Sequence, residues 1–278
     1  MAAKLTPMAI AYDFDGTLSP GNMQEYDFIP ALKMKPSEFW KEAKRIAKEH
    51  DADEILAYMQ CMLDQASRAR IPVRKKDFSD FGKQISLFPG VEEWFDRIKE
   101  YGRAQDVKVE HFLISSGLRE MVQGTKIARK FKEIYASGFM YDQNQVAHWP
   151  ALAVNYTTKT QYLFRINKGS FDVYDNTKIN KYTPQEKRYV PFSNMVFIGD
   201  GETDIPCMRL VKAQGGHSIA VYSPNKKGAK AKAEQLHKEG RASLIAPADY
   251  SVDSAMDKAV KAVVDIISAN YRLAKSGK

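Results

Sequence analysis

The sequence is poor in the residues that build disulfide frameworks and zinc sites. It has two cysteines, Cys61 and Cys207, among 278 residues, and they form no CxxC pair. Two cysteines are too few for a disulfide framework, so we expect two structural thiols in a reducing compartment. The five histidines are scattered and include no pair at i, i+4 spacing, which argues against a His/Cys zinc site.

Long apolar runs are also missing. No stretch approaches the roughly 18 consecutive apolar residues of a membrane span, and the N-terminus lacks the apolar segment of a signal peptide. We therefore expect a cytoplasmic protein without a membrane partner. Hydrophobic residues make up 44% and charged residues 27% of the chain, proportions that are ordinary for a folded protein and argue against disorder of the whole chain.

The charge balance is basic, with 42 Lys and Arg against 34 Asp and Glu and a net charge of +8. Nucleic-acid binding, an anionic substrate or simple solubility would each explain this excess. The densest basic run, residues 226–232, has no zinc-finger spacing or RNA-recognition signature near it. We interpret the run as a solvated helix face and do not expect nucleic acid as a partner. The sequence leaves the oligomeric state open.

Hydrophobic periodicity predicts an α/β fold with a parallel sheet, because apolar strand patterns alternate with helical ones. The predicted strands are residues 8–12, 107–114, 195–199, 218–221 and 243–245, with further strands within 134–156. The predicted helices among them are residues 92–101, 119–131, 159–168, 207–211 and 254–273. The polar segment 171–190 is predicted to be irregular.

Residues 19–87 differ from the rest because they show helical spacing and no strand-like alternation. Three helices are predicted, the first with Ser37 as N-cap, the second from about Ala52 and the third over residues 77–85. We interpret the segment as a small helical module inserted after the first strand. Its large side chains are expected to pack rather than to line a pocket: Phe39, Trp40, Tyr58 and Met59.

Carboxylates follow two predicted strands: Asp13 and Asp15 the first, Asp200 and Asp204 a later one. Ligands bind outside the carboxyl ends of strands in open parallel sheets, so these side chains should share one crevice. Clustered carboxylates repel each other and need a cation, and oxygen-only ligands favour Mg²⁺ over Zn²⁺. Asp13 could attack phosphorus, and Asp15 could protonate the leaving oxygen and then activate water.

Candidate phosphate-binding groups lie at the same predicted edge. Ser115 ends a third strand, and Ser116 is the alternative hydroxyl. Backbone N–H groups near Gly16 could hold further phosphate oxygens. Lys159 begins a helix where the chain returns to this edge and would balance both the carboxylates and a transferring phosphoryl group. Helix capping is the alternative role for Ser115 and Asp204, and a surface position is the alternative for Lys159.

Four motifs together resemble one known family. Residues 13–18, Asp-Phe-Asp-Gly-Thr-Leu, and residues 199–204, Gly-Asp-Gly-Glu-Thr-Asp, resemble the first and fourth motifs of the haloacid dehalogenase-like (HAD) hydrolase superfamily. Residues 112–115 resemble the second motif and residues 158–160 the third, in the family's order. The helical module lies where the family's C1 caps are found, and the similarity is greatest to the phosphoserine-phosphatase-like branch.

This resemblance implies a Mg²⁺-dependent phosphatase for a small phosphorylated metabolite. It implies a Rossmann-like three-layer core with a parallel sheet, formed by residues 1–18 and 88–278, and a helical cap of residues 19–87. Alternatives are a phosphotransferase or mutase that uses the same site, and a non-catalytic module that binds a phosphorylated ligand. A receiver domain is disfavoured, because such domains are shorter and lack the helical insertion.

The resemblance also implies a role for each motif residue. Asp13 would be the nucleophile that forms an aspartyl-phosphate, and Asp15 would be the general acid/base and lend its backbone carbonyl to Mg²⁺. Asp200 and Asp204 would be metal-site carboxylates, and Ser115 and Lys159 would bind the phosphoryl group. The dehalogenases proper lack an aspartate at the position of Asp15, so its presence favours phosphoryl chemistry. Residues 19–23 contain no acid to read a substrate amine, which argues against serine phosphate.

Overall fold

The computed structural model describes residues 5–276, in which a seven-stranded sheet carries helices on both faces. The strands are β1 (Thr6–Tyr12), β2 (Val107–Leu118), β3 (Glu133–Tyr141), β4 (Ala147–Leu152), β5 (Met195–Gly199), β6 (His217–Tyr222) and β7 (Leu244–Pro247). Their order is β4-β3-β2-β1-β5-β6-β7. All neighbours are parallel except β3 and β4, which are antiparallel. The predicted α/β class is confirmed.

The helices alternate with the strands outside the inserted segment, as a parallel sheet requires. Along the described chain they are α1 (Phe28–Ala31), α2 (Pro36–His50), α3 (Glu54–Ala69), α4 (Lys75–Gly82), α5 (Val91–Ala104), α6 (Arg119–Gly124), α7 (Thr158–Lys168), α8 (Thr177–Asn180), α9 (Ile205–Ala213), α10 (Ala229–Lys238) and α11 (Ala255–Ser276). None of the helices in residues 5–276 is long and apolar enough to cross a membrane. Cys61 and Cys207 are both free and buried, as expected.

The central strand β1 separates two hydrophobic layers. Met8, Ile10 and Tyr12 belong to the layer that contains α5 and α11, and Ala9 and Ala11 belong to the layer that contains α7, α9 and α10. This alternation follows from the two-residue period of a strand. Because β1 is covered on both faces, it reads in the sequence as a continuous apolar run. The carboxyl end of β1 is therefore held rigidly at the centre of the sheet edge.

The inserted segment, residues 19–87, contains α1 to α4. Its two ends are adjacent, because the Phe88 backbone N–H donates to the Leu18 carbonyl at 3.0 Å. Helix α4 packs against α6, and the ring of Phe78 stacks on Phe139 of β3 with the centroids 5.5 Å apart. Phe39, Tyr58 and Met59 are buried and Trp40 is packed against the same cluster. The packing interpretation of these side chains is confirmed.

Several helix boundaries differ from the predictions by a few residues, among them the third helix of the inserted segment, which was predicted over 77–85 and lies over 75–82. Two differences have a clear physical cause. The helix predicted over 119–131 ends at Gly124, because glycine disfavours helix and the Thr125 hydroxyl donates to the Val122 carbonyl at 2.7 Å. The N-cap of α2 is Lys35 rather than Ser37, because Pro36 takes the first helical position. Segment 171–190 contains only α8 and one 3-10 turn, so its predicted irregularity is confirmed.

Segment 171–190 is nevertheless well anchored. The buried side chain of Arg165 donates to the carbonyls of Asp172 and Val173 at 2.7 and 3.0 Å. Lys168 donates to the carbonyls of Ile179 and Lys181 at 2.6 and 2.8 Å. Two cations at one side of α7 thus bind four backbone carbonyls of this segment.

A polar chain crosses the layer beneath β1. The Trp94 indole N–H donates to the Tyr12 hydroxyl at 2.8 Å, and that hydroxyl contacts His111 Nδ1 at 2.9 Å. His111 Nε2 lies 3.2 Å from the Phe95 carbonyl. Burial, and next the charge of Lys99, lower the pKa of His111 to about 3. The imidazole is therefore neutral in the folded protein.

This buried histidine should make stability depend on pH. Between about pH 6.5 and pH 3 the unfolded chain binds a proton at His111 and the folded chain does not, so stability falls as the pH falls. We expect the unfolding free energy of the wild type, measured against that of His111→Gln, to drop by about 2 kcal/mol between about pH 7 and pH 5. Urea titrations at both pH values measure this, with the exposed His50→Gln as control. An equal change in unfolding free energy for the wild type and for His111→Gln between the two pH values would contradict this prediction.

Candidate active site

A cleft of about 970 Å³ lies at the edge where β1, β2, β5 and β6 end. Strand order explains this position, since parallel neighbours present their carboxyl ends together. Six of the eight predicted site residues line the cleft: Asp13, Asp15, Gly16, Ser115, Ser116 and Asp200. The other two, Lys159 and Asp204, are fully buried directly beneath Asp13 and Asp200.

Lys159 connects two of the carboxylates. Its Nζ lies 2.9 Å from Asp13 Oδ1 and 2.7 Å from Asp204 Oδ1, and the lysine side chain is 0% exposed. Burial lowers the pKa of Lys159, but the charges of Asp13 and Asp204 outweigh it and raise that pKa above its usual range. A buried ammonium with two carboxylate partners remains charged, so the surface alternative for Lys159 is wrong.

Asp204 shapes the loop after β5. Its Oδ2 accepts the backbone N–H groups of Asp200 and Gly201, each at 3.1 Å. It stands at the N-cap position of α9 but makes no capping hydrogen bond with its side chain. A Cβ at Gly199 would overlap the Asp204 carboxylate, so only glycine lets the loop close this tightly. Asp204 thus holds Asp200 in place from below.

Gly16 brings the first motif against the fourth. It has φ +78°, and a Cβ there would overlap the Asp200 carboxylate. Any other residue would be strained in that backbone conformation and would displace Asp200. The Gly16 N–H donates to the Ser19 carbonyl at 2.7 Å. That N–H is therefore already paired within the loop, and phosphate binding by the backbone N–H groups near Gly16 stays a prediction.

Asp15 is held by the start of the inserted segment. Its Oδ1 accepts the backbone N–H of Met23 at 2.9 Å. Burial raises the pKa of Asp15 well above its usual range, and the charge of Asp13 adds to this effect. A carboxyl group with a raised pKa can carry the proton that a general acid must donate.

Ser115 and Ser116 occupy an irregular stretch of β2, where the pairing with β3 shifts register between Ser115 and Leu118. A bulge lets two successive side chains reach the same side of a strand, and both serines line the cleft. Ser115 Oγ accepts the Gly117 N–H at 3.0 Å. Ser116 Oγ is buried and has no hydrogen-bond partner among the described residues. Neither hydroxyl donates a hydrogen bond to another of the described residues.

The four carboxylates outweigh the single buried ammonium. Burial, and then Asp204, raise the pKa of Asp13, while Lys159 opposes the rise. Burial, with Asp204 and Asp13, raises the pKa of Asp200 to about 7. Burial is the larger cause of these shifts, and repulsion between the carboxylates adds to it. One oxygen from each of Asp13, Asp200 and Asp204 lies within 4.8 Å of the others, so a hard divalent cation fits this oxygen-only donor set.

Two contacts between the inserted segment and this edge were not predicted. The Tyr58 hydroxyl donates to the Ser116 carbonyl at 2.7 Å. Asp53, the N-cap of α3, also accepts a hydrogen bond from the Asn155 side chain, just before Lys159. Helical spacing in the sequence indicates that Tyr58 is packed, but no local signal indicates which backbone group its hydroxyl reaches.

One wall of the cleft was also missed. Lys226 and Lys227 lie in the loop between β6 and α10 and line the cleft, together with Lys232 from the first turn of α10. The interpretation of residues 226–232 as a solvated helix face is therefore wrong for Lys226 and Lys227, which precede α10. On the opposite side, Asn22 and Glu25 of the inserted segment complete the cleft.

A family model and a related protein each match most of this chain. The haloacid dehalogenase-like hydrolase family model matches residues 10–209. An uncharacterized protein of Borreliella burgdorferi is 28% identical over 271 residues, covering 88% of this chain and 92% of its own. The residues matched by the family model include all four motifs.

Solved structures share the fold at low sequence identity. A substrate-bound phosphoserine phosphatase has a TM-score of 0.53 at 16% identity, over 86% of this chain and 92% of its own. A probable phosphoserine phosphatase of Vibrio cholerae has a TM-score of 0.55 at 12% identity, over 96% and 67%.

A HAD family hydrolase of Salmonella enterica serovar Typhi has a TM-score of 0.51 at 19% identity, over 82% of this chain. This chain spans 66% of that protein's length. At these low sequence identities, the similarity to the solved structures shows a shared fold and nothing further. With the family match over most of the sequence, it follows that this chain belongs to the haloacid dehalogenase-like hydrolase family, a family of enzymes.

Proposed function

We propose that this chain is a Mg²⁺-dependent phosphatase that hydrolyses a small phosphorylated metabolite through an aspartyl-phosphate. The observation that carries the proposal is the buried Lys159 ammonium between Asp13 and Asp204, at the floor of a cleft lined by Asp200 and two serines. A lone carboxylate cluster would serve a binding protein equally well. A buried ammonium bonded to the candidate nucleophile suits transfer of a doubly charged phosphoryl group.

Asp13 is the nucleophile in this mechanism. Its carboxylate attacks phosphorus, the bond between phosphorus and the ester oxygen breaks, and the phosphoryl group stays on Asp13. Lys159 binds Asp13 Oδ1, which keeps that carboxylate oriented and offsets the negative charge of the phosphoryl oxygens. The Ser115 and Ser116 hydroxyls donate to phosphoryl oxygens from the β2 side.

Asp15 moves the protons. With its raised pKa it carries a proton to the ester oxygen as that oxygen departs. As a carboxylate it then takes a proton from water, whose oxygen attacks the phosphorus of the aspartyl-phosphate. The bond from phosphorus to Asp13 breaks, and inorganic phosphate and the free carboxylate result. The Met23 N–H fixes the direction in which Asp15 points.

Mg²⁺ would be held by the carboxylates of Asp13 and Asp200 and by the backbone carbonyl of Asp15, and when bound it supplies positive charge to the phosphoryl oxygens. Asp204 already accepts three hydrogen bonds, from Lys159, Asp200 and Gly201. We therefore assign it mainly to positioning Asp200.

Residues 19–87 act as the cap in this proposal, and residues 1–18 and 88–278 as the core. The adjacency of Leu18 and Phe88 supports this division. The contact from Tyr58 to Ser116 supports a cap that reaches the phosphate site, where it would exclude water and select the substrate. The cytoplasmic location stays a prediction.

Removing the nucleophile should abolish the reaction. We expect Asp13→Asn to lose hydrolysis of para-nitrophenyl phosphate while it keeps the wild-type circular dichroism spectrum, because an amide does not form the aspartyl-phosphate. Release of nitrophenol measures turnover, and mass spectrometry of acid-quenched wild type should find a phosphoryl group on the Asp13 peptide. The exposed Asp172→Asn is the control and should match wild type. Undiminished turnover by Asp13→Asn would refute the mechanism.

Mg²⁺ should stabilise the fold independently of turnover. At a Mg²⁺ concentration of about a hundred times Kd the gain is about 2.7 kcal/mol. We expect Tm to rise with Mg²⁺ for wild type and for Asp172→Asn but not for Asp200→Asn. In EDTA, Asp200→Asn should be at least as stable as wild type, because one repelling charge is gone. A rise in Tm for Asp200→Asn equal to that of wild type would argue against this metal site.

Lys159 should be needed for both stability and chemistry, and one double variant separates the two roles. Lys159→Met leaves buried carboxylates unpaired, so we expect a loss of about 3–5 kcal/mol in urea unfolding together with loss of turnover. Adding Asp204→Asn should restore much of the stability and none of the turnover. Lys178→Met, at an exposed site on α8, should change neither. Turnover in the double variant would remove Lys159 from the mechanism.

A further inference from the structure

The cleft has a basic wall above its acidic floor. Lys226 and Lys227 lie in the loop between β6 and α10 and face the same cavity as Asp13 and Asp200. Gly228, the N-cap of α10, and Ala229 lie on this wall too. The first N–H groups of a helix favour an anion, which adds to the charge of the two lysines.

These two lysines keep their charge available. In the same basic run, Lys230 pairs with Glu234 at 3.7 Å, and Lys232 pairs with Glu202 at 3.1 Å. Within residues 5–276, neither Lys226 nor Lys227 has a carboxylate oxygen within ion-pair distance. Exposed lysines usually find solvent or a partner on the same helix. Of the four lysines in residues 226–232, the two without a carboxylate partner in the described structure, Lys226 and Lys227, both line the cleft.

Lys226 and Lys227 line the same cleft as Asp13 and Asp200. The wall and the floor therefore border one cavity. The cleft, at about 970 Å³, is large enough for a ligand well beyond one phosphoryl group, since pockets of roughly 300–1,000 Å³ hold drug-sized molecules.

We propose that Lys226 and Lys227, with the N-terminus of α10, form a second anion site in this cleft. It binds a carboxylate or second phosphate at the far end of a substrate whose ester phosphate lies on the carboxylate floor. The substrate class is then a small phosphate ester with two anionic ends. The inference rests on the proposed function for the place of the ester phosphate, and it goes beyond that function in naming what the other end carries.

Binding of non-hydrolysable probes tests this site without requiring turnover. The probes are ω-carboxyalkylphosphonates of increasing chain length, alkane-α,ω-bisphosphonates, and alkylphosphonates of equal length that lack the second anion. Calorimetry in Mg²⁺ measures Kd for the wild type, for Lys226→Gln/Lys227→Gln and for Lys230→Gln/Lys238→Gln. The last variant removes the same charge from α10 at positions that do not line the cleft.

We expect the best doubly anionic probe to bind wild type at least about tenfold more tightly than its matched alkylphosphonate, the size of one charge-assisted hydrogen bond. Lys226→Gln/Lys227→Gln should lose this difference and leave alkylphosphonate binding within about twofold. The control variant should keep the difference. A preference for the bisphosphonate arm would identify the second group as a phosphate, and a preference for the carboxylate arm as a carboxylate.

Three results would overturn the inference: wild type does not distinguish the probes, the double variant still does, or it weakens both series equally. Equal weakening would indicate general attraction of anions by the wall. Asp13-dependent hydrolysis of ethyl phosphate without any discrimination would leave the proposed function standing and refute the anion site. If the double variant loses the discrimination and no ester is hydrolysed, the anion site would stand and the proposed function would be refuted.

Discussion

The ammonium of Lys159, buried between Asp13 and Asp204, is the interaction on which the site depends. It joins residues that are 146 and 45 positions away along the chain, and through them it joins β1, α7 and the loop after β5. Charges without solvent tolerate little displacement, because an unpaired buried ion costs several kcal/mol. The lysine therefore fixes how these three elements meet, and the cleft above them takes its shape from that meeting.

The negative charge at this edge of the sheet is only partly balanced by the positive charge of Lys159. Four carboxylates face one ammonium, and burial together with mutual repulsion raises the pKa values of Asp13, Asp15 and Asp200. A protein selected for stability alone would have fewer like charges here. Glycine at positions 16 and 199 lets backbone segments approach the Asp200 and Asp204 carboxylates closely. The repulsion between the carboxylates is therefore concentrated in a small volume. A cation held among these carboxylates would relieve the repulsion.

The sequence alone predicts the strands and most of the site, because both depend on local patterns. A buried parallel strand is a continuous apolar run, and an aspartate directly after it must lie at the sheet edge. What could not be predicted depends on contacts between distant segments. Tyr58 binding the Ser116 carbonyl and Asp53 binding Asn155 leave no trace in helical periodicity. The prediction of a helix to residue 131 was wrong for a local reason instead, because the Thr125 hydroxyl binds the Val122 carbonyl three residues earlier.

The basic run, residues 226–232, was also interpreted wrongly when only its local sequence was considered. Counting lysines suggests one charged helix face, yet Gly228 divides the run, with φ +79° at the N-cap of α10. After it, Lys232 pairs with Glu202 and ties the helix to the loop that carries Asp200. Before it, Lys226 and Lys227 remain above the carboxylates without forming an ion pair with them in the described structure. The wall and the floor therefore present opposite charges to a ligand on two sides of one cleft.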